Sequence, residues 1–148
     1  MAKILGTISE VVLAAYGAAS IAAALPQGSA SAGILPAKSE TVVVTYRVRP
    51  GKEDDVARAI AEHWATVRRL GLVLPWPHLT LRGADENGAP IFLDVLAWKD
   101  HDAPDSAPAE VRAIWDRLEA LCEKRGGRRG IEFPEFAVLD GAGRPASR

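Results

Sequence analysis

The 148-residue sequence is sparing with the residues that usually announce chemistry. It has a single cysteine, Cys122, so no disulfide can form within one chain. Cys122 falls at an apolar helical position and reads as a small core residue. Histidine is equally scarce. His63, His78 and His101 show no H-x-x-x-H or other close ligand spacing, and no metal site is expected from them. Neither sign of charge prevails: a net charge of −1 and a pI near 6.3 give no reason to expect a polyanion partner. The one basic cluster, "EKRGGRRG" at 123–130, follows a predicted helix. Cations suit the negative end of that helix and glycines suit its C-cap, whereas nucleic-acid binding would call for a broader basic face. P-loop, dinucleotide, C-x-x-C-H and G-x-S-x-G motifs are all absent, so nucleotide, c-type haem and serine-hydrolase chemistry have no support.

Long apolar runs are missing too. The longest, "VVLAAYGAASIAAAL", has 15 residues, short of the ~20 that span a bilayer. It follows a start that carries Lys3 and precedes Ala30-Ser31-Ala32, a small-x-small site. That order predicts a secretory signal over 1–32, a linker over 33–40, and an exported (periplasmic or secreted) mature chain with no stable membrane span. If the segment is retained, the protein is cytoplasmic, and 1–32 reads instead as an Ala-rich helix packed on the domain or on a membrane surface.

What remains is ordinary globular sequence, and its periodicities are clear. "TVVVTYRV" (41–48) is β-branched and predicts a strand; "RPGKEDD" breaks it and opens a helix with acids in its first turn. Val56, Ile60, Trp64, Val67 and Leu70 follow at helical spacing. "GLVLPWP" reads as a loop, "HLTLR" (78–82) as a second strand, and Asn87-Gly88 as the turn into a third strand at 91–98. Ser106 is placed to cap a second helix whose apolar face holds Val111, Ile114, Trp115, Leu118, Leu121 and Cys122. "IEFPEFAVL" (131–139) predicts a fourth strand, bulged at Pro134-Glu135 and at a sheet edge, before a flexible tail at 140–148. The order β-α-β-β-α-β is the ferredoxin-like split unit: α+β, a four-stranded antiparallel sheet with two helices on one face.

Alternation along the strands divides their side chains between two faces. The uniformly apolar sets are expected under the helices: Val42, Val44, Tyr46 and Val48, with Leu79 and Leu81, and with Ile91, Leu93, Val95 and Ala97. The other face would then carry His78, Thr80, Arg82, Thr45, Arg47 and Asp94 among Val43, Phe92, Leu96 and Trp98. That mixture suits a second sheet packed against it, with Asp94 paired to Arg82 or Arg47, because a lone buried carboxylate is costly.

"VVVTYRVRPGKEDDVARAIAEHW", and a third strand that ends in "LAWKD" before a polar loop and a helix, resemble the dimeric α+β barrel superfamily. Within it they are similar to antibiotic-biosynthesis-monooxygenase-like domains, over about 41–139. The resemblance implies a homodimer with His78, Arg82, Asp94 and Trp98 at the dimer face. It also implies a small-molecule ligand between sheet and helices, and oxidation of aromatic or quinol-type molecules without cofactor. Haem binding enters by the same analogy only, through His63 or His78. On that basis His63 is the acid/base candidate, since an imidazole titrates near working pH, and Tyr46, Trp64 and Trp115 shape the pocket. The plainer readings are a boundary histidine and core aromatics. A non-catalytic, exported ligand-binding dimer is the alternative function.

Overall fold

The computed structural model describes residues 35–36, 38–139 and 141–145. The expected signal at 1–32 lies outside the described residues, as do part of the 33–40 linker and part of the tail. The elements run β1 (Glu40–Arg47), α1 (Glu53–Arg69), β2 (Val73–Ala84), β3 (Pro90–Trp98), a single turn α2 (Asp102–Asp105), α3 (Ala109–Leu121), β4 (Ile131–Glu132) and β5 (Glu135–Phe136). Strands order β2-β3-β1-β4, with β5 also on β1, and every pairing is antiparallel. The expected split βαββαβ order is therefore present, and both long helices pack beside each other.

Helix α1 is specified at both ends. Glu53, Asp54 and Asp55 occupy its first turn and Arg68 and Arg69 its last, each complementing the helix dipole. At its exit Gly71 has φ 65°, the Gly71 N–H donates to the Arg68 carbonyl and the Leu72 N–H to the Val67 carbonyl. These two bonds make a Schellman cap and need a left-handed residue at Gly71. The face it buries is Val56, Ala59, Ile60, His63 and Val67.

The register settles the two faces. Residues directly opposite on antiparallel strands share a face. Val44 stands opposite Asp94 and Asp94 opposite Thr80; Tyr46 faces Phe92, which faces Arg82; Val42 faces Leu96, which faces His78. Val42, Val44, Tyr46, Phe92, Asp94, Leu96 and Trp98 are all buried, and α1 rings lie against His78 and Trp98. This is the helix-covered face. The β1 assignment stands, but those of β2 and β3 are inverted: His78, Asp94 and Trp98 lie under the helices, not on a dimer face. Arg82 is on the same side, at its margin, 3.6 Å from Asp54 of α1. Asp94 has neither arginine as partner. Arg47, on the opposite face, donates to Glu132 Oε2 (3.1 Å) and the Arg129 carbonyl (2.8 Å). The reason is that both alternating sets of β3 are largely apolar, so only its register with β1 decides which is covered.

Smaller differences have local causes. The "GLVLPWP" loop is in part strand: β2 begins at Val73 and is irregular until His78, a stretch that includes the cis Trp76–Pro77 bond. Ser106 does not cap the second helix; it closes the α2 turn, and extended Pro108 precedes α3. The fourth strand splits into β4 and β5 around Phe133-Pro134, one residue before the break expected at Pro134-Glu135. The 123–130 cluster is not a helix cap, because α3 has already ended at Leu121. Gly126 and Gly127, both at positive φ, turn a tight hairpin in which Arg125 bonds Asp85 and the Val48 carbonyl, and Arg128 bonds Glu132. Cys122 is buried in the core, and burial pushes its thiol up to about 11.

Candidate functional site

Between the sheet and α3 lies a cavity of about 1230 Å³. Val42, Tyr46, Trp98, Trp115 and Leu118 give it apolar and aromatic walls, and His63 is among its lining. Two of the three expected pocket aromatics, Tyr46 and Trp115, therefore meet here. Trp64 does not. It turns to the β2 side of α1, where its ring stacks on His78 with centroids 3.7 Å apart and planes 4° from parallel. The Arg68 guanidinium lies over the same Trp64 ring, 5.6 Å from the centroid. Trp98, expected at the dimer face, is instead a cavity wall, edge-on to both His63 and Trp115.

His63 is 3% exposed, held on the buried face of α1. The Trp115 indole N–H donates to its Nε2 at 3.0 Å. An indole only donates, so Nε2 carries the lone pair and the proton of the neutral ring sits on Nδ1. Nδ1 is buried with no partner among the described residues. Burial first, and the nearby His78 second, lower the imidazole to about 4. His63 is thus a neutral N–H donor at working pH, rather than the free base that its type alone suggested.

Asp94 is the least expected residue of this interior. It is fully buried; the Thr80 hydroxyl donates to Oδ1 at 2.7 Å, and His78 Nε2 lies 3.4 Å from the same oxygen without a well-directed hydrogen bond. Oδ2 has no hydrogen-bond partner among the described residues. Burial raises its carboxyl, and Thr80 and His78 offset only part of that. His78 keeps 23% of its side chain exposed, so the buried carboxylate connects to the β2 edge through a partly solvated imidazole. Tyr46 feels both burial and Asp94, and its hydroxyl is strongly held in the protonated form.

These imidazoles do not suit haem iron: Nε2 of His63 accepts the indole proton, and Nε2 of His78 faces Asp94 under the Trp64 ring. A different group of ligand-type side chains stands at the cavity mouth. The ligand atoms of Glu40, His101 and Glu135 lie within 4.8 Å of one another, and His101 Nδ1 is 2.8 Å from Glu40 Oε2. Positions 40, 101 and 135 are far apart in sequence, so no local spacing could have disclosed this group.

The fold has relatives among solved structures. The chain has the ferredoxin-like α+β fold of antibiotic-biosynthesis-monooxygenase-like proteins. SnoaB, a cofactor-independent oxygenase from Streptomyces nogalater, superposes with a TM-score of 0.54 at 21% identity, over 70% of this chain and 96% of its own. An antibiotic biosynthesis monooxygenase gives a TM-score of 0.52 at 16% identity, over 68% of this chain and 99% of its own. A dimeric ferredoxin-like protein from Jannaschia sp. gives 0.51 at 18% identity, over 68% and 99%. Identities this low establish the fold alone. No protein-family profile matches the chain. In sequence it is 30% identical over 141 residues to the flagellar M-ring protein of Cereibacter sphaeroides, covering 95% of this chain and 22% of that one. The chain thus spans about a fifth of that relative's length.

Proposed function

We propose that the cavity binds a small aromatic or quinol-type molecule and supports its oxidation by oxygen without metal or flavin. The observation that carries this reading is the His63–Trp115 pair on an aromatic-walled cavity: a neutral imidazole with its tautomer fixed and its N–H unspent. An unpartnered buried donor is costly to leave unmade, and a ligand oxygen would satisfy it. In an activated methylene substrate such as anthrone, loss of the carbon proton makes an enolate whose electrons reduce oxygen. His63 Nδ1–H would stabilise the developing oxyanion. One oxygen atom ends as the new carbonyl; the other leaves as water with the two hydrogens of that carbon, so no outside reductant is consumed. The fold of SnoaB, a cofactor-independent oxygenase, supports the assignment.

The test is oxygen uptake with anthrone- and quinol-type substrates by the wild type and by His63→Ala. Uptake by the wild type with a loss of about a hundredfold in the variant is expected, the scale of a lost oxyanion donor. Binding without turnover across such a panel would replace this reading with a non-catalytic ligand-binding domain. The second reading has its own support, since the one basic nitrogen of His63 is already engaged by Trp115.

The protein is further proposed to be a homodimer. Leu79 and Leu81 are 50% and 46% exposed on the open face of the sheet, beside the half-buried Ile91, Leu93 and Val95. An apolar sheet surface of this kind suits a second sheet. Export by way of residues 1–32 stands as a proposal, checked by N-terminal sequencing of the protein from its native host. Among the described residues no helix is long and apolar enough to cross a membrane.

A further inference from the structure

We infer that the ligand of this cavity carries a positive charge beside its aromatic ring, with the ammonium group docked at the mouth between Glu40 and Glu135. This rests on the cavity reading above and narrows its substrate class. The lining divides sharply. Its inner part is aliphatic and aromatic, whereas its charged residues are six carboxylates against Arg49, Lys124 and Arg129. One of those three cations is held by other structure: Arg49 Nε donates to the Cys122 carbonyl.

Two of these acids meet at one place. Glu40 from β1, only 14% exposed along its side chain, and Glu135 from β5 converge on His101, which follows β3. Glu40, Glu135 and Asp105 all favour the charged imidazolium, and the bond to Glu40 is the chief cause. The protein thus fills its own cation site with a surface histidine, 74% exposed and free to swing away. An incoming ammonium takes over the same carboxylates, while its ring lies among Tyr46, Trp98 and Trp115, whose faces also favour a cation nearby.

The test uses three phenols with the same ring: tyramine, neutral para-propylphenol and anionic para-hydroxyphenylpropionate, titrated calorimetrically into the whole protein at pH 8. Tyramine is expected to bind about tenfold more tightly than para-propylphenol, and the anion most weakly. The tyramine preference should shrink at high salt and vanish in Glu135→Gln. It should grow in His101→Ala, with para-propylphenol affinity unchanged in both variants. Equal affinities for all three phenols would overturn the charge assignment and leave the aromatic pocket standing; binding of none would overturn both. Saturable Zn²⁺ binding lost in His101→Ala, with no preference for tyramine, would assign the mouth to a divalent cation and equally overturn the inference.

Discussion

The two faces of the sheet hold the wrong kinds of residue by ordinary expectation. The helix-covered face encloses Asp94 and, from α1, His63, with half-buried His78 and exposed Thr80 at its β2 margin; the open face displays Leu79 and Leu81. A sheet built for stability alone would reverse them, since buried polar groups cost free energy unless paired and exposed leucines gain nothing. Among the described residues, the covered face leaves His63 Nδ1 and Asp94 Oδ2 without partners, and the open face leaves apolar surface uncovered. The first departure suits a site that meets a ligand, the second a surface that meets another sheet. Substitutions on the two faces should therefore differ in what they change.

The largest effect belongs under the helices. Leu96→Ala removes a side chain with no exposed surface and should cost about 3 kcal/mol, read from urea unfolding. The same change at Leu81 should cost less than about 0.5 kcal/mol in the isolated monomer. Leu81→Glu should instead abolish association, seen by sedimentation, with little change in secondary structure. A loss of folding in Leu81→Glu as severe as that in Leu96→Ala would erase the distinction between the faces.

Next comes Thr80→Val, which strands one oxygen of a buried carboxylate and should cost about 1–3 kcal/mol. Asp94→Asn keeps an acceptor for Thr80 and removes the charge. The folded carboxyl of Asp94 lies above its unfolded value of 3.8, so its ionisation opposes folding. That penalty is absent below 3.8 and complete above the raised value. Asp94→Asn should therefore gain stability over the wild type as pH climbs through this window, measured as a difference in Tm. A difference that does not depend on pH would mean that Asp94 ionises as readily inside as outside. A smaller effect is expected of Arg82→Ala, which breaks an exposed pair with Asp54 and a cation–π contact 5.8 Å from the Phe92 ring centre, and should cost less than about 1 kcal/mol.

Much of this fold is legible in the sequence, for identifiable reasons. The break at "RPG", the acids of α1 and the Asn87-Gly88 turn are local signals, and each lies where it was expected. Apolar periodicity places Tyr46, Trp64 and Trp115 alike on covered faces, but only Tyr46 and Trp115 line the cavity, since Trp64 turns to His78. The orientation of β3 could not be read. "IFLDVLAW" is apolar in both alternating sets, so its pattern lacks the contrast that tells inside from outside. The covered face follows from the pairing of Val44 with Asp94, a contact across 50 residues. The role of His63 was hidden for a related reason, because its tautomer depends on Trp115, 52 positions away.

The three histidines offer the most direct test of the interior. His63 and His101 can be followed in an NMR experiment on the side-chain nitrogens. His63 should stay neutral, protonated on Nδ1, down to about pH 4, with Nε2 hydrogen-bonded in the wild type and free in Trp115→Phe. His101 should titrate above the ordinary 6.5. A His63 that titrates near 6.5, or carries its proton on Nε2, would contradict the account: the covered face would then be open to water, and its donor would not be set by Trp115.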